Sequence, residues 1–431
     1  MAIHINREHT KHKKSITLGD ALKHGGQTAF TVMVKPVGSR CNLNCSYCYY
    51  LDKELLGNRD GKVMSDATLE RLIKEYIGAN DVPTVSFCWH GGEPLIAGLD
   101  FFRRAVELQW KYAAGKRVEN SVQTNGTLID DEWSRFFADS GFLVGISVDG
   151  PEHIHDANRL NVGGGASFDK VMRGVESLRR NGAEFNTLTA VSRTSEGRGA
   201  EIYRFCKSIG SRFMQFLPVV EHVRDIEGYS RPVIAHPGEE GSRPAEWSIS
   251  GEGYGRLLID IFDQWVVTDV GRYFVQIFDA TLAGRCSVRP GICTMCETCG
   301  DSLVVERNGD IYSCDHFVYP EFRLGNVADD DLRGLYRGRR HFDFSISKRE
   351  NLPVECRRCD YLTLCRGECP KHRFTGSGFT DELKMNNLCQ GLRLFFRHSE
   401  PYMGFMKECL EKGRPASDVI PMARLRMGLP L

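Results

Sequence analysis

The chain has 431 residues, 41% hydrophobic and 26% charged, the balance of a globular protein long enough for two or three domains. Lys plus Arg (56) equals Asp plus Glu (56), so net charge gives no ground for nucleic acid or an anionic membrane as partner. The basic start "MAIHINREHTKHKK" leads into no apolar signal-peptide core, and no later run is long enough for a membrane span, so a cytoplasmic protein is expected.

Residues 1–27 read as an N-terminal extension. From 28 to 270 strand-like and helix-like segments alternate. The predicted strands are "AFTVMVKP", "TVSFCWH", "ENSVQTNG", "FLVGISVDG", "FNTLTAVS" and "RFMQFLPVV", each rich in β-branched or aromatic residues and each ending in a Gly, Pro or polar loop. Between the first two lies "SDATLERLIKEYIG", where Leu69, Leu72, Ile73 and Tyr76 share one helical face and Ser65 or Asp66 stands ready to cap. Six β-α repeats predict a parallel sheet wound with helices, an open barrel or a doubly wound sheet, with functional loops at the strands' C-terminal ends. After the sixth strand, "EHVRDIEGYSRPVIAHPGEEGSRPAEWSIS" reads as a long loop over the barrel mouth, and "GYGRLLIDIFDQWVVTD" as a helix. Residues 271–400 form a second, cysteine-dense domain of short turns held by metal, and 401–431 a C-terminal tail.

Sixteen cysteines in a cytosolic chain point to metal rather than disulfides, because thiols stay reduced there. Cys41, Cys45 and Cys48 stand in "CNLNCSYCYY", and ten others lie between Cys286 and Cys389. Cys88, Cys206 and Cys409 stand apart and are expected to be inert core residues. Three thiolates at C-x3-C-x2-C spacing can hold three corners of a [4Fe–4S] cube and leave one iron open to a small molecule, and the spacing alone also fits a zinc-site fragment or chance.

With an aromatic, Tyr47, before its last cysteine, this motif resembles the signature of the radical S-adenosylmethionine (SAM) enzymes. "HGGEP", "QTNGT", "ISVDGP" and "HDANR" follow in order near the ends of later predicted strands. The resemblance implies a partial (β/α)6 barrel, SAM on the open iron, and a 5′-deoxyadenosyl radical that takes a hydrogen atom from substrate. It implies that Gly91, Gly92 and Glu93 flank the SAM amino group, that Ser147 and Arg159 reach its ribose and carboxylate, and that Val220 packs on adenine.

Downstream, Cys299-x9-Gly309-x4-Cys314, Cys356-x2-Cys359-x5-Cys365-x3-Cys369 and Cys389 resemble the SPASM domain, an extension of radical SAM enzymes. Spacing alone leaves zinc knuckles open as well. With Cys293 as an eighth ligand, the resemblance implies two closed [4Fe–4S] cubes. One takes Cys293, Cys299, Cys314 and Cys369 and the other Cys356, Cys359, Cys365 and Cys389, for three clusters in all. Cys286 and Cys296 are left without a ligand role.

Within that group, "KPVGSRCNLNCSYCYYLDKE", "HGGEPL", "QTNGTLI" and "SVDGPEHIHDANR", with Asp315 directly after Cys314, are similar to the anaerobic sulfatase-maturating enzymes over about residues 28 to 400. These oxidise a cysteine or serine of an unfolded sulfatase to Cα-formylglycine. The resemblance implies Asp315 as the general base, the alternative being a carboxylate that orders the Cys314 loop. Tyr50 is expected either to position the radical target or to pack as a barrel aromatic. A ferredoxin or flavodoxin as electron donor and a monomeric state complete the expectation. The rival is a SPASM maturase that crosslinks or forms thioethers in a ribosomal peptide. Against it, fewer than ~30 residues precede the first strand, too few for a winged-helix peptide-recognition domain.

Overall fold

The computed structural model describes residues 28–50, 62–227, 232–235, 239, 241–375 and 383–430. The expected N-terminal extension, the "LDKE" after the two tyrosines and parts of the long loop lie outside the described residues.

All six predicted strands form: β1 (Thr31–Lys35), β2 (Thr84–Trp89), β3 (Arg117–Thr124), β4 (Phe142–Ser147), β5 (Phe185–Val191) and β6 (Phe213–Pro218). They pair in parallel with their sequence neighbours. The intervening helices are α1 (Asp66–Ala79), α2 (Leu99–Tyr112), α3 (Asp131–Asp139), α4 (Phe168–Arg180) and α5 (Gly199–Ser208). Helix α1 follows from its sequence: the Ser65 side chain accepts the Thr68 N–H, and Leu69, Leu72, Ile73 and Tyr76 are buried as their spacing requires. They pack on the outward face of the sheet with Val32, Val34, Phe87, Trp89, Val122 and Val144. Side chains alternate along a strand, so Met33 and Lys35 of β1 turn to the inner face.

The segment after β6 departs from the expected loop. Its described residues contain β7 (His222–Arg224), β8 (Val233–Ile234) and β9 (Arg243–Pro244), which pair antiparallel. Helix α6 (Gly251–Val266), the short strand β10 (Phe274–Val275) and helix α7 (Gln276–Arg285) follow, with β10 parallel to β6.

The cysteine-rich region joins the barrel sheet. Strand β11 (Ser302–Glu306) pairs in parallel with β1, Thr31 opposite Ser302 and Lys35 opposite Glu306, and β12 (Asp310–Tyr312) and β13 (Arg323–Asn326) extend the sheet antiparallel. The strand order is β10-β6-β5-β4-β3-β2-β1-β11-β12-β13, open rather than closed. Helix α8 (Arg339–Glu350) follows, and α9 (Cys389–Glu411) runs through position 401 without a break. Helices α6 and α9 cross at glycines: a Cβ on Gly391 would lie 1.7 Å from the Gly251 carbonyl oxygen, and one on Gly255 2.4 Å from that of Gly391. Their close approach buries Phe262, Trp265, Phe395 and Phe396 in a second core and fixes Cys389 at the start of α9.

Candidate active site

The loop after β1 carries Cys41, Cys45 and Cys48, and neighbouring loops hold it in place. The Asn44 and Ser46 N–H groups donate to the carbonyls of Leu160 and Asn158 at 2.7 and 3.0 Å. The Asn125 amide donates to Asn42 Oδ1 at 2.8 Å, and the Leu43 N–H to Cys41 Sγ at 3.4 Å. Burial pushes the Cys41 and Cys45 thiols up to about 12, with Glu93 adding to the effect at Cys41. Thiolates form here only against a positive partner, which iron supplies.

The Gly91–Gly92–Glu93 turn after β2 lies directly on this loop. Gly92 and Glu93 donate to the carbonyls of Gly38 and Arg40 at 2.8 and 2.9 Å. A Cβ on Gly92 would sit 2.1 Å from the Arg40 carbonyl oxygen, and Gly91 has a φ of +132°, so both positions call for glycine. Glu93 is fully buried. Its carboxylate accepts the Leu95 N–H (3.0 Å), the Thr124 hydroxyl (2.8 Å) and the Asn125 N–H (2.7 Å). Burial raises it to about 7 against these hydrogen bonds. Ser147, closing β4, accepts from the Gln123 amide at 2.9 Å. Arg159 pairs with Asp149 at 3.0 Å, Tyr47 donates its hydroxyl to Asp149 at 2.6 Å, and the guanidinium lies 5.6 Å from the Tyr47 ring centre. These three form a buried unit beside Cys45, whose thiol feels the Arg159 charge. Asp149 lies in "SVDGP", a stretch whose pattern alone assigns it no role. Val220, two residues past β6, is fully buried in the second core.

Asp315 follows Cys314 at the end of β12, and the β1–β11–β12 pairing brings it to Lys35. The Lys35 ammonium, whose side chain is 0% exposed, donates to one Asp315 oxygen and the Tyr49 hydroxyl to the other. Although burial pushes the Asp315 carboxyl up, the charge and the hydrogen bond of Lys35 hold it well below the usual carboxylate range. His90 is itself driven down to about 4, first by burial and then by Lys35, so it is neutral near pH 7. Tyr50 donates to buried Glu306, and the Lys35 ammonium lies 4.2 Å from the Tyr50 ring centre. On the other flank, Lys371 lies 4.7 Å from the Tyr49 ring centre and pairs with buried Glu221 at 2.5 Å. Of this network the sequence nominated Asp315 and Tyr50. Lys35, Tyr49, His90 and Glu306 were missed, although a lysine on the inner side of a hydrophobic strand's last turn was a visible signal.

The C-terminal thiols gather in two places. Cys356, Cys359, Cys365 and Cys389 line one pocket, together with Leu392 and Phe396. In the other group burial raises Cys299 to about 11 and Cys314 to about 12, and raises Cys369 too. Cys293 adds to the rise at all three. Among the described residues, no three His, Cys, Asp or Glu side chains converge on the position of a single ion. All-thiol sets spread over a larger volume fit iron–sulfur cubes. Cys206 and Cys409 are buried, the expected inert cysteines, and Cys88 is half-buried.

Residues 36–206 match the family model of the radical SAM superfamily, and 293–360 that of the SPASM iron–sulfur cluster-binding domain. The fold and its cysteine sets therefore define a radical SAM enzyme with a SPASM domain, whose cofactors are SAM and [4Fe–4S] clusters. The chain is 45% identical to the serine-type anaerobic sulfatase-maturating enzyme of Bacteroides thetaiotaomicron, over 90% of this chain and 93% of that one. It is 34% identical to the cysteine-type enzyme of Clostridium perfringens, over 86% and 96%. The solved structure of native anSMEcpe with bound AdoMet superposes with a TM-score of 0.76 at 31% identity, covering 88% of this chain and 99% of that one. The chain belongs to the family of anaerobic sulfatase-maturating enzymes. Streptococcus suis SuiB, at 16% identity and a TM-score of 0.55, shares the fold alone.

Proposed function

We propose that the protein oxidises a cysteine or serine in an unfolded sulfatase to Cα-formylglycine, with Asp315 as general base. The observation that carries this reading is the Asp315 carboxylate beside Cys314, gripped by Lys35 and Tyr49.

Cys41, Cys45 and Cys48 would hold the first cluster, which together with SAM would supply the 5′-deoxyadenosyl radical for removal of one hydrogen atom from the substrate Cβ. Gly91 and Gly92 let the SAM amino group approach closely, and Glu93 balances its charge. Ser147 and the Tyr47–Asp149–Arg159 unit line the side of β4, and Val220 backs the adenine. Asp315 then accepts the proton of the thiol or hydroxyl. Lys35 makes it a weak base, which suits a proton that becomes acidic only once the adjoining carbon is a radical. Loss of that proton and of one further electron, which the cluster that Cys293, Cys299, Cys314 and Cys369 would hold beside Asp315 would take up, leaves a thioaldehyde or aldehyde, and water converts the thioaldehyde to the aldehyde with release of sulfide. Tyr50, held by Glu306, shapes the wall facing the target carbon.

The auxiliary clusters lie on Cys293, Cys299, Cys314 and Cys369, and on Cys356, Cys359, Cys365 and Cys389. A low-potential ferredoxin or flavodoxin supplies electrons to a monomer in the cytoplasm; among the described residues no helix is long and apolar enough to cross a membrane. The test is anaerobic: count iron after reconstitution, then follow the mass of a Cys-x-Pro-x-Arg peptide, and its serine counterpart, with SAM and dithionite. About twelve irons and a thiol-to-aldehyde mass loss support the reading. Twelve irons and 5′-deoxyadenosine with both peptides unchanged would transfer it to the peptide-crosslinking rival.

A further inference from the structure

Two cations, buried Lys348 and half-buried Arg373, stand among the auxiliary cysteine sets without an ion pair to a carboxylate among the described residues. Lys348, on α8, is 0% exposed and makes no ion pair among the described residues. Its ammonium donates to the carbonyls of Cys293 and Thr294 at 2.7 and 2.8 Å. The same helix clamps the next ligand: the Cys299 N–H donates to the Ser345 carbonyl at 3.1 Å and the Ser345 hydroxyl to the Cys299 carbonyl at 2.7 Å.

Arg373 is the second. Its Nε donates to the carbonyl of Gly367, between ligands Cys365 and Cys369, at 3.2 Å, and its Nη1 to the Lys348 carbonyl at 2.8 Å. Its Nη2 is shut off from solvent and has no hydrogen-bond partner among the described residues. The nearby Glu368 carboxylate is taken by His372 at 2.7 Å and Asn386 at 2.6 Å. Cys356 of one set and Cys369 and Cys299 of the other act electrostatically on the guanidinium, as Glu368 also does, so Arg373 stands between the two sets.

A buried charge persists only where something of opposite sign balances it. A [4Fe–4S] cube with four thiolates is a net anion, and here two cations await it. We propose that Lys348 and Arg373 are the counter-charges of the auxiliary clusters and set their reduction potentials. Lys348 acts on the cluster held by Cys293, Cys299, Cys314 and Cys369, and Arg373 acts on both. The inference rests on the assignment of these thiols to iron–sulfur clusters. Reduction adds negative charge to a cluster, so a fixed cation favours the reduced form and its removal lowers the potential.

The experiment is a potentiometric titration of the reconstituted full-length protein, followed by EPR, with iron counted in every sample. Lys348→Met is expected to keep about twelve irons. One auxiliary signal should shift down by 59 mV or more, a tenfold change in a one-electron equilibrium. Arg373→Met should shift both auxiliary signals, and Lys348→Arg should restore the parent potential. Full iron with potentials unmoved in both Met variants would overturn the proposal. If Lys348→Met instead loses iron, recovery of iron and potential by Lys348→Arg supports a counter-charge, whereas the same loss in Lys348→Arg overturns it. Parent protein that loads only about four irons, or zinc, would remove the cluster assignment itself, a failure distinct from unmoved potentials.

Discussion

Replacing Lys35 by Met removes the ammonium that pairs with Asp315 and leaves the carboxyl beside the Tyr49 hydroxyl and neutral His90. At a hydrogen-bond separation of ~3 Å and an effective dielectric of about 20, that ammonium favours the ionised carboxylate by about 5 kcal/mol. Asp315 is held below its unfolded value. The pair therefore stabilises the fold fully above the ordinary carboxylate pKa, ~3.9, and loses that effect only as pH falls through the lower folded value. At pH 7 the variant should thus lose the whole contribution, about 3–5 kcal/mol for a buried pair cut on one side. Its Asp315 pKa should also climb, so peptide oxidation should fall by about 10²-fold at pH 7 and recover as pH rises toward ~9. The assay is anaerobic peptide turnover across pH in samples matched for iron, with Lys35→Arg as the variant that keeps the charge. If Lys35→Met follows the parent's pH profile at the parent's rate, Lys35 does not govern Asp315 and the network argument fails.

Asp315→Asn should cut peptide oxidation by about 10²–10⁴-fold while 5′-deoxyadenosine still forms, because hydrogen-atom abstraction needs no base; equal loss of both products would contradict the assigned role. Gly92→Ala drives a methyl group into the Arg40 carbonyl and should disturb the Cys41 loop; about eight irons instead of twelve, with the auxiliary EPR signals intact, is the expected count. Burial raises Glu93 to about 7, above its unfolded value, so its protonated form is favoured at low pH and that stabilisation is lost as pH rises through about 7. SAM needs the ionised form, so its affinity should drop by about tenfold between pH 8 and pH 6, and in Glu93→Gln the dependence should vanish. Cys359→Ala should lower soluble yield as well as iron, since its cluster supports the surrounding fold; a fully soluble variant with intact clusters would refute that ligand assignment.

The sequence alone determined what is written locally. Strand and helix periods gave six β-α units, Ser65 marked a cap, and cysteine spacing marked three metal-binding stretches, because each depends on residues a few positions apart. It gave no sign that β11 would lie against β1, since parallel pairing between residues some 270 positions apart is set by how the barrel edge is left open. That one pairing puts Lys35 opposite Glu306 and brings Asp315 onto the Lys35 ammonium, turning an ordinary strand lysine and a loop aspartate into one charged centre. The crossing of α6 and α9 at Gly251, Gly255 and Gly391 likewise carries Cys389 back to Cys356, Cys359 and Cys365, a packing decision that spacing could not reveal. Local chemistry was legible because covalent neighbours carry it. The site was not, because distant segments meet there only after the apolar faces on either side are buried.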